Sequence, residues 1–363
     1  MRLCRLAKLQ HHVRVGQALP FAVRDASGRL LVTRGFALDD PALLDLWLER
    51  GACVDLDELQ GPRAEVLKAP PSRLPALWRD FGERLAVLLP MPPSPGWLEQ
   101  VKEHSRTLLA LVDRAPDLSI FLVVRGGPAG GAYGVLHTLH AAVCAALVGT
   151  RLRWDEARTL SLVRAALTMN LPIVELQGRL ATRPQAPSPT ERQMIRQHPE
   201  KAVAMLVAAG VNDTAWLTAV LQHHEAAGGT GYPQGLHRVD ELAEALRVCD
   251  VYTAKFGARV TRKAMAGNHA ARSLFKGFPQ SPVTAAVVKE FGLYPPGSLV
   301  QLQGGELAVV VRRGLSANAP LVDMLTRKDG STLDKPERRD GVVVVQPVPP
   351  DLLASAPTAE RHF

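Results

Sequence analysis

The sequence predicts a mainly α-helical protein, with a small β-rich module before the helices and a β hairpin region after them. Three observations carry this reading. From residue 132 to about 275, apolar residues recur at three- and four-residue spacing, the period of helices that bury one face. Start and stop signals punctuate the same stretch: Ser188-Pro189-Thr190-Glu191 is a capping box with proline at the first helical position, and Gly210 follows a helical run. At both ends, short apolar runs flank glycine-containing turns, as in strand pairs.

In chain order, residues 1–62 read as the β-rich module. Residues 18–24 and 29–34 flank Asp25-Ala26-Ser27-Gly28, a loop with hairpin chemistry. Asp39 or Asp40 then caps a helix through Glu49, which Gly51 ends. Residues 63–126 combine proline-rich linkers with helices over 72–89 and 97 to about 113, and the glycine-rich 126–131 is a break. Residues 127–290 form the helical domain, with helices over 133–147 and 155–169 and a third starting at Ser188. Pro199 is expected to interrupt that third helix after His198, before it restarts towards Leu206. Asp213 caps the helix carrying Trp216, Val220, His223 and His224, and a helix from about 240 to 256 bears Asp250. In 291–348, residues 298–302 and 306–313 flank Gly304-Gly305 as a hairpin, with a further strand over 342–348; residues 349–363 are a tail.

Composition bounds the function. At 363 residues, 47% hydrophobic and 21% charged, the chain has the balance of a soluble globular protein. It holds no continuous apolar run of the roughly 18 residues a membrane span needs, and its basic N-terminus lacks a secretory apolar segment. Cys4, Cys53, Cys144 and Cys249 are widely spaced and frame neither a zinc site nor a disulfide scaffold, which suits a reducing cytoplasm. The net charge of +8 favours anionic partners, but basic residues are scattered and no basic, aromatic-studded strand points to nucleic acid.

The chemistry concentrates in His223-His224-Glu225-Ala226-Ala227-Gly228-Gly229-Thr230-Gly231-Tyr232-Pro233. Neighbouring side chains on a helix diverge by about 100°, so His223 and His224 do not chelate one ion together easily. They suit two adjacent ions, or a cleft wall with one ring inside and one buried. Gly228, Gly229 and Gly231 are expected to end the helix, and they permit positive φ. A backbone so bare can approach a phosphate or another protein closely.

This string resembles the signature of the HD-GYP domain, a branch of the HD metal-dependent phosphohydrolases that cleaves cyclic di-GMP. The resemblance covers roughly residues 130–315 and implies an HD-type helical bundle. It places metal ligands at His137, His198, His223, His224 and Asp250, and phosphate-facing bases at Arg259 and Arg262. Glu225, Gly229, Gly231, Tyr232 and Pro233 match the motif loop, where Gly228 replaces a family Asp. The chain departs from the pattern where the family has its His-Asp pair and a phosphate-binding Lys: Met169, Asn170 and Ile173 stand there, and Tyr133 stands for a family Glu. A thioether and a neutral amide replace an imidazole and a bridging carboxylate, so the repulsion between two dications is less screened.

Three functions follow from the resemblance and its gaps. The first is a protein of cyclic di-GMP signalling with a degenerate metal site, acting by binding nucleotide or a partner. The second is a phosphodiesterase with a reduced centre of one or two iron or manganese ions; three histidines plus water make a workable site. The third is a scaffold that binds no nucleotide, whose Gly-Tyr-Pro loop, Gly228 to Gly235, contacts another signalling protein. Plain structural readings stand beside these: His137 and His140 also suit packing positions, Cys144, Cys249 and Met169 suit a core, and Arg259, Arg262 and Lys263 suit a solvated helix end.

Overall fold

Proline and short polar side chains set most of the helix starts. The computed structural model describes the whole chain except residues 1–2, 20, 34–35, 56–60, 127–132, 317 and 350–361, and it divides into two compact units at Ala69/Pro70.

In the first unit, β1 (Leu3–Arg5) leads through a 3₁₀ turn to β2 (Gln17–Ala18), β3 (Val23–Arg24), β4 (Leu30–Val32) and β5 (Ala37–Leu38). Next come α1 (Pro41–Glu49), β6 (Cys53–Asp55) and α2 (Gly61–Lys68). The strands form an antiparallel sheet of order β1-β6-β3-β4, and β2 pairs with β5. The expected hairpin closes at Asp25, whose carboxylate accepts from the Ser27 and Arg29 main-chain nitrogens at 2.9 Å. Asp40 caps α1 and Pro41 opens it. The core holds Leu6, Phe21, Val23, Leu38, Trp47 and Val54.

The second unit begins with α3 (Leu74–Leu88), α4 (Pro95–Arg114) and α5 (Pro116–Arg125). The prolines of this stretch open helices: Pro75, Pro95 and Pro116 all sit at first-turn positions, where a missing N–H costs nothing. Trp78, Phe81 and Trp97 are buried, and Trp97 Nε1 donates to the Leu88 carbonyl at 3.0 Å. The tract expected as linker and helices is therefore largely packed helix. Gly126 ends α5 with φ of 104°, while the rest of the expected break lies outside the described residues.

The helical domain follows as α6 (Tyr133–Arg151), α7 (Glu156–Thr168), α8 (Val174–Ala181), α9 (Pro189–Ala208), α10 (Thr214–Gln222), α11 (Glu241–Thr253), α12 (Gly267–Gly277) and α13 (Pro282–Phe291). Helix α6 is the hub, buried along almost its whole length, with alanines at 141, 142, 145 and 146 that let neighbours approach. Tyr133–Arg151 and Glu156–Ala181 are apolar and long enough to cross a membrane by length and composition, but 83% of each such window is buried inside the protein. They read as core helices.

Helix α9 departs from the expectation. It runs through Pro199 without a break. Proline leaves the Ile195 carbonyl without its main-chain donor, and His198 Nδ1 takes that place at 2.5 Å.

The C-terminal region is more than a hairpin. Strands β7 (Leu299–Leu302), β8 (Leu307–Ser316), β9 (Ala319–Thr326), β10 (Thr332–Arg339) and β11 (Val344–Pro347) form one antiparallel sheet of order β10-β9-β8-β7-β11. The β7–β8 hairpin and the last strand match the sequence reading. Strand β10 escaped it because it is an exposed edge, polar and carrying Pro336. Most of the expected tail lies outside the described residues, yet His362 is buried, with Nδ1 on Asp323 Oδ2 at 2.5 Å.

Candidate functional site

Helices α6, α9, α10 and α11 bring the five expected ligands together. His137 on α6 meets Asp250 on α11, with Nε2 2.7 Å from Oδ1. His198, His223 and His224 form the second half, with a ligand atom of each within 4.8 Å of the others. Both neighbours from the His-His pair turn into one cluster with His198, against the helical expectation of divergent rings. The reason is local: α10 ends at Gln222, so His223 is its cap and His224 lies in the turn beyond. Their ring centroids are 4.2 Å apart.

Main-chain carbonyls orient the two buried rings. His198 Nδ1 lies against Ile195 O, and His223 Nδ1 against Val220 O at 2.6 Å. A carbonyl only accepts, so each Nδ1 carries the proton and each Nε2 a lone pair. Those two Nε2 atoms face each other at 3.0 Å. Burial, then the charge of His224, lowers the His198 pKa to about 4; burial lowers that of His223 as well. Neither ring is thus protonated near neutral pH, and two lone pairs at this separation repel unless a cation lies between them. The donor set fits a metal ion, since neutral imidazole suits first-row transition ions.

Asp250 supplies the negative charge. Burial pushes its carboxyl up, but the hydrogen bond from His137 and the surrounding imidazoles more than offset this and hold it well below the usual range. Tyr133 stacks on His137 at 5.9 Å. Arg259 donates to the Tyr133 hydroxyl from Nε at 2.9 Å, with its guanidinium 4.7 Å from the ring centroid. The arginine expected to face phosphate thus rests on the Tyr133 ring. Arg262 donates to the Ala254 carbonyl just past α11, where a cation also suits the helix dipole.

Met169, Asn170 and Ile173 are all buried, at 0%, 2% and 4% exposure. Asn170 Nδ2 has no hydrogen-bond partner among the described residues. No carboxylate stands at these positions to bridge a second ion.

Glu225 holds the motif loop. It is 1% exposed, and its carboxylate accepts from the main-chain nitrogens of Gln234 (2.6 Å), Gly235 (3.2 Å) and Leu236 (3.0 Å). Arg247, three residues before Asp250, donates to the Glu225 carbonyl at 2.9 Å. Sequence reading missed Arg247; its position one turn from Asp250 on the same helix was the available signal. Gly228 and Gly229 do adopt positive φ (91° and 80°). Gly231 does not, and matters for another reason: a Cβ there would come within 2.4 Å of Glu225 Cα. None of the three ends the helix, which has already stopped at Gln222. Tyr232 stacks on His224 at 4.6 Å, and the Tyr232-Pro233 peptide is cis.

Comparison with known proteins bears on this region. Residues 132–277 match the HD domain family. The chain is 30% identical over 197 residues to the cyclic di-GMP phosphodiesterase PA4108 of Pseudomonas aeruginosa, covering 52% of this chain and 47% of that protein. It is 21% identical over 212 residues to the cyclic di-GMP phosphodiesterase PdeB of Borreliella burgdorferi, covering 57% and 55%. The chain thus spans about half the length of the curated relatives it matches. Among solved structures, Bd1817, an HDG"Y"P protein from Bdellovibrio bacteriovorus, aligns with a TM-score of 0.48 at 15% identity, covering 79% of this chain and 97% of that one.

Proposed function

We propose, from the match of residues 132–277 to the HD domain family, that this chain is an HD-GYP-like component of cyclic di-GMP signalling with a reduced metal site. It acts by binding nucleotide or a partner protein. The observation that carries this reading is the buried pair Met169 and Asn170, which offers a thioether and an amide where two-ion chemistry needs an imidazole and a bridging carboxylate. The two relatives, both cyclic di-GMP phosphodiesterases, support the nucleotide class.

His198, His223 and His224 would hold one iron or manganese ion, with Asp250 as the nearby anion and His137 fixing that carboxylate. A bound ion supplies Lewis acidity and lowers the pKa of its water. Glu225 keeps the Gly-Tyr-Pro loop in one shape, and Tyr232 packs against the His224 ring. The exposed loop positions Ala227, Gly228 and Thr230 are the surface a partner would meet. A cytoplasmic location belongs to the same proposal.

The convergent histidines favour a second reading, a slow metal-dependent phosphodiesterase. Protein purified without oxygen or chelators separates the two. The first reading expects at most one ion per chain and cyclic di-GMP binding without turnover. Hydrolysis that His223→Ala abolishes would overturn it in favour of the second. Absence of both metal and nucleotide binding would leave only the loop as a scaffold surface.

A further inference from the structure

Where the start of α5 meets the C-terminal sheet there is a cavity of about 280 Å³, and no residue of the histidine cluster is in its wall. Three guanidinium groups line it, from Arg114, Arg312 and Arg338. Asp117, the acidic residue of the described wall, is already matched: its Oδ1 accepts from Arg313 Nε at 2.6 Å. Arg338 is matched too, with Nε and Nη2 on the Asp323 carboxylate at 2.8 and 3.1 Å. Arg312 differs. It is an exposed residue of β8 whose guanidinium has no hydrogen bond or ion pair among the described residues.

His362 gives a second, independent sign of a ligand. Its side chain lines the same cavity and is 0% exposed. The ring is fixed on several sides: Nδ1 lies on Asp323 Oδ2, Phe121 packs at 5.8 Å, and Arg338 donates to the His362 carbonyl at 2.6 Å. A carboxylate only accepts, so Nδ1 carries a proton. Nε2, on the other side of the ring, has no hydrogen-bond partner among the described residues. Buried polar atoms are normally paired, so an unpaired one in a cavity wall marks a place for a bonded group.

The two observations ask for different things of one ligand. Arg312 needs anionic oxygens. The imidazole nitrogen accepts from an O–H or, with a second proton, donates to an oxygen. Hydrogen phosphate carries both kinds of oxygen on one small tetrahedron, whereas sulfate at neutral pH has no O–H. We infer that this cavity binds a phosphate group, free or as a small monoester, with Arg312 and Arg114 facing its charge and His362 Nε2 its protonated oxygen. The site stands apart from the histidine cluster and rests on nothing proposed for it.

Calorimetric titration of the full chain with inorganic phosphate, glycerol phosphate and sulfate tests this, using wild type, Arg312→Ala, His362→Phe and His223→Ala. Phosphate is expected to bind wild type and His223→Ala equally, and Arg312→Ala about tenfold more weakly. Because Arg312 is exposed, Arg312→Ala should melt as wild type does, so that a loss of binding is not a loss of fold. His362→Phe keeps a ring against Phe121 and removes Nε2; phosphate should then bind no better than sulfate. Glycerol phosphate binding as tightly as phosphate would identify a monoester as the ligand class, and binding of inorganic phosphate alone would identify the free ion. Equal phosphate affinity in wild type and Arg312→Ala would overturn the inference. So would sulfate binding wild type as tightly as phosphate, which would mark a general basic surface. Phosphate binding lost in His223→Ala but kept in Arg312→Ala would move the anion to the histidine cluster and refute this site.

Discussion

His198 does for its own helix what Pro199 cannot. The proline lacks the N–H that would bond the Ile195 carbonyl, and the imidazole before it donates there instead, with Nδ1 2.5 Å from the oxygen. One contact both satisfies the helix and aims Nε2 at His223.

Pro199→Ala separates these two roles. The new N–H competes for Ile195 O, which should raise helix stability by up to about 3 kcal/mol while freeing the ring. Metal affinity is then expected to fall about tenfold, as for other partners that orient a ligand. Thermal melts and metal titration together check this. Unchanged affinity would show that the ring needs no such support.

Restoring Met169→His with Asn170→Asp puts a buried imidazole and carboxylate back. With chelator present the double variant should melt below wild type, because an unpaired buried charge is costly. With iron or manganese supplied it should melt above its own chelated state and bind more ions per chain than wild type. Elemental analysis gives the count, and an unchanged count would mean that other groups limit the site.

Replacing the carboxylate of Glu225 tests whether it serves the loop or the metal. It accepts three main-chain N–H groups, so Glu225→Gln should cost roughly 1–3 kcal/mol in chemical denaturation. Metal content at saturation should stay at the wild-type value. A loss of metal with no loss of stability would reassign Glu225 as a ligand.

Asp323 sets an acid limit for the C-terminal sheet. Burial raises its carboxyl, but bonds from His362 and Arg338 more than offset this, so its pKa in the folded protein lies below the ordinary 3.8. The unfolded chain therefore takes up the proton first. The contribution is complete above the ordinary carboxylate range and is lost as pH falls through the folded value. Asp323→Asn should lower stability at neutral pH and flatten the acid limb of a pH titration followed by fluorescence. An acid limb identical to wild type would assign the acid sensitivity to other carboxylates.

Much of the fold was legible because its signals are local. The Ser188–Glu191 box, the Asp213 and Asp40 caps and the turn at Asp25 lie where short-range chemistry put them. Helix α5 went unassigned because its run of Ile, Leu and Val suits a strand as well as a helix, and only packing decides. Strand β10 stayed hidden because a polar exposed edge carries no alternation to read.

The sequence by itself determined the helical domain, the identities of the five candidate ligands and the absence of a His-Asp pair at Met169-Asn170. These depend on residue type and near neighbours alone. Only the tertiary structure decided that His223 and His224 fall in one cluster with His198, and that Arg259 rests on Tyr133. Each of these is a meeting of side chains from separate helices, or follows from where a helix stops. Such geometry is fixed by packing of the whole bundle, and no local pattern of residues encodes it.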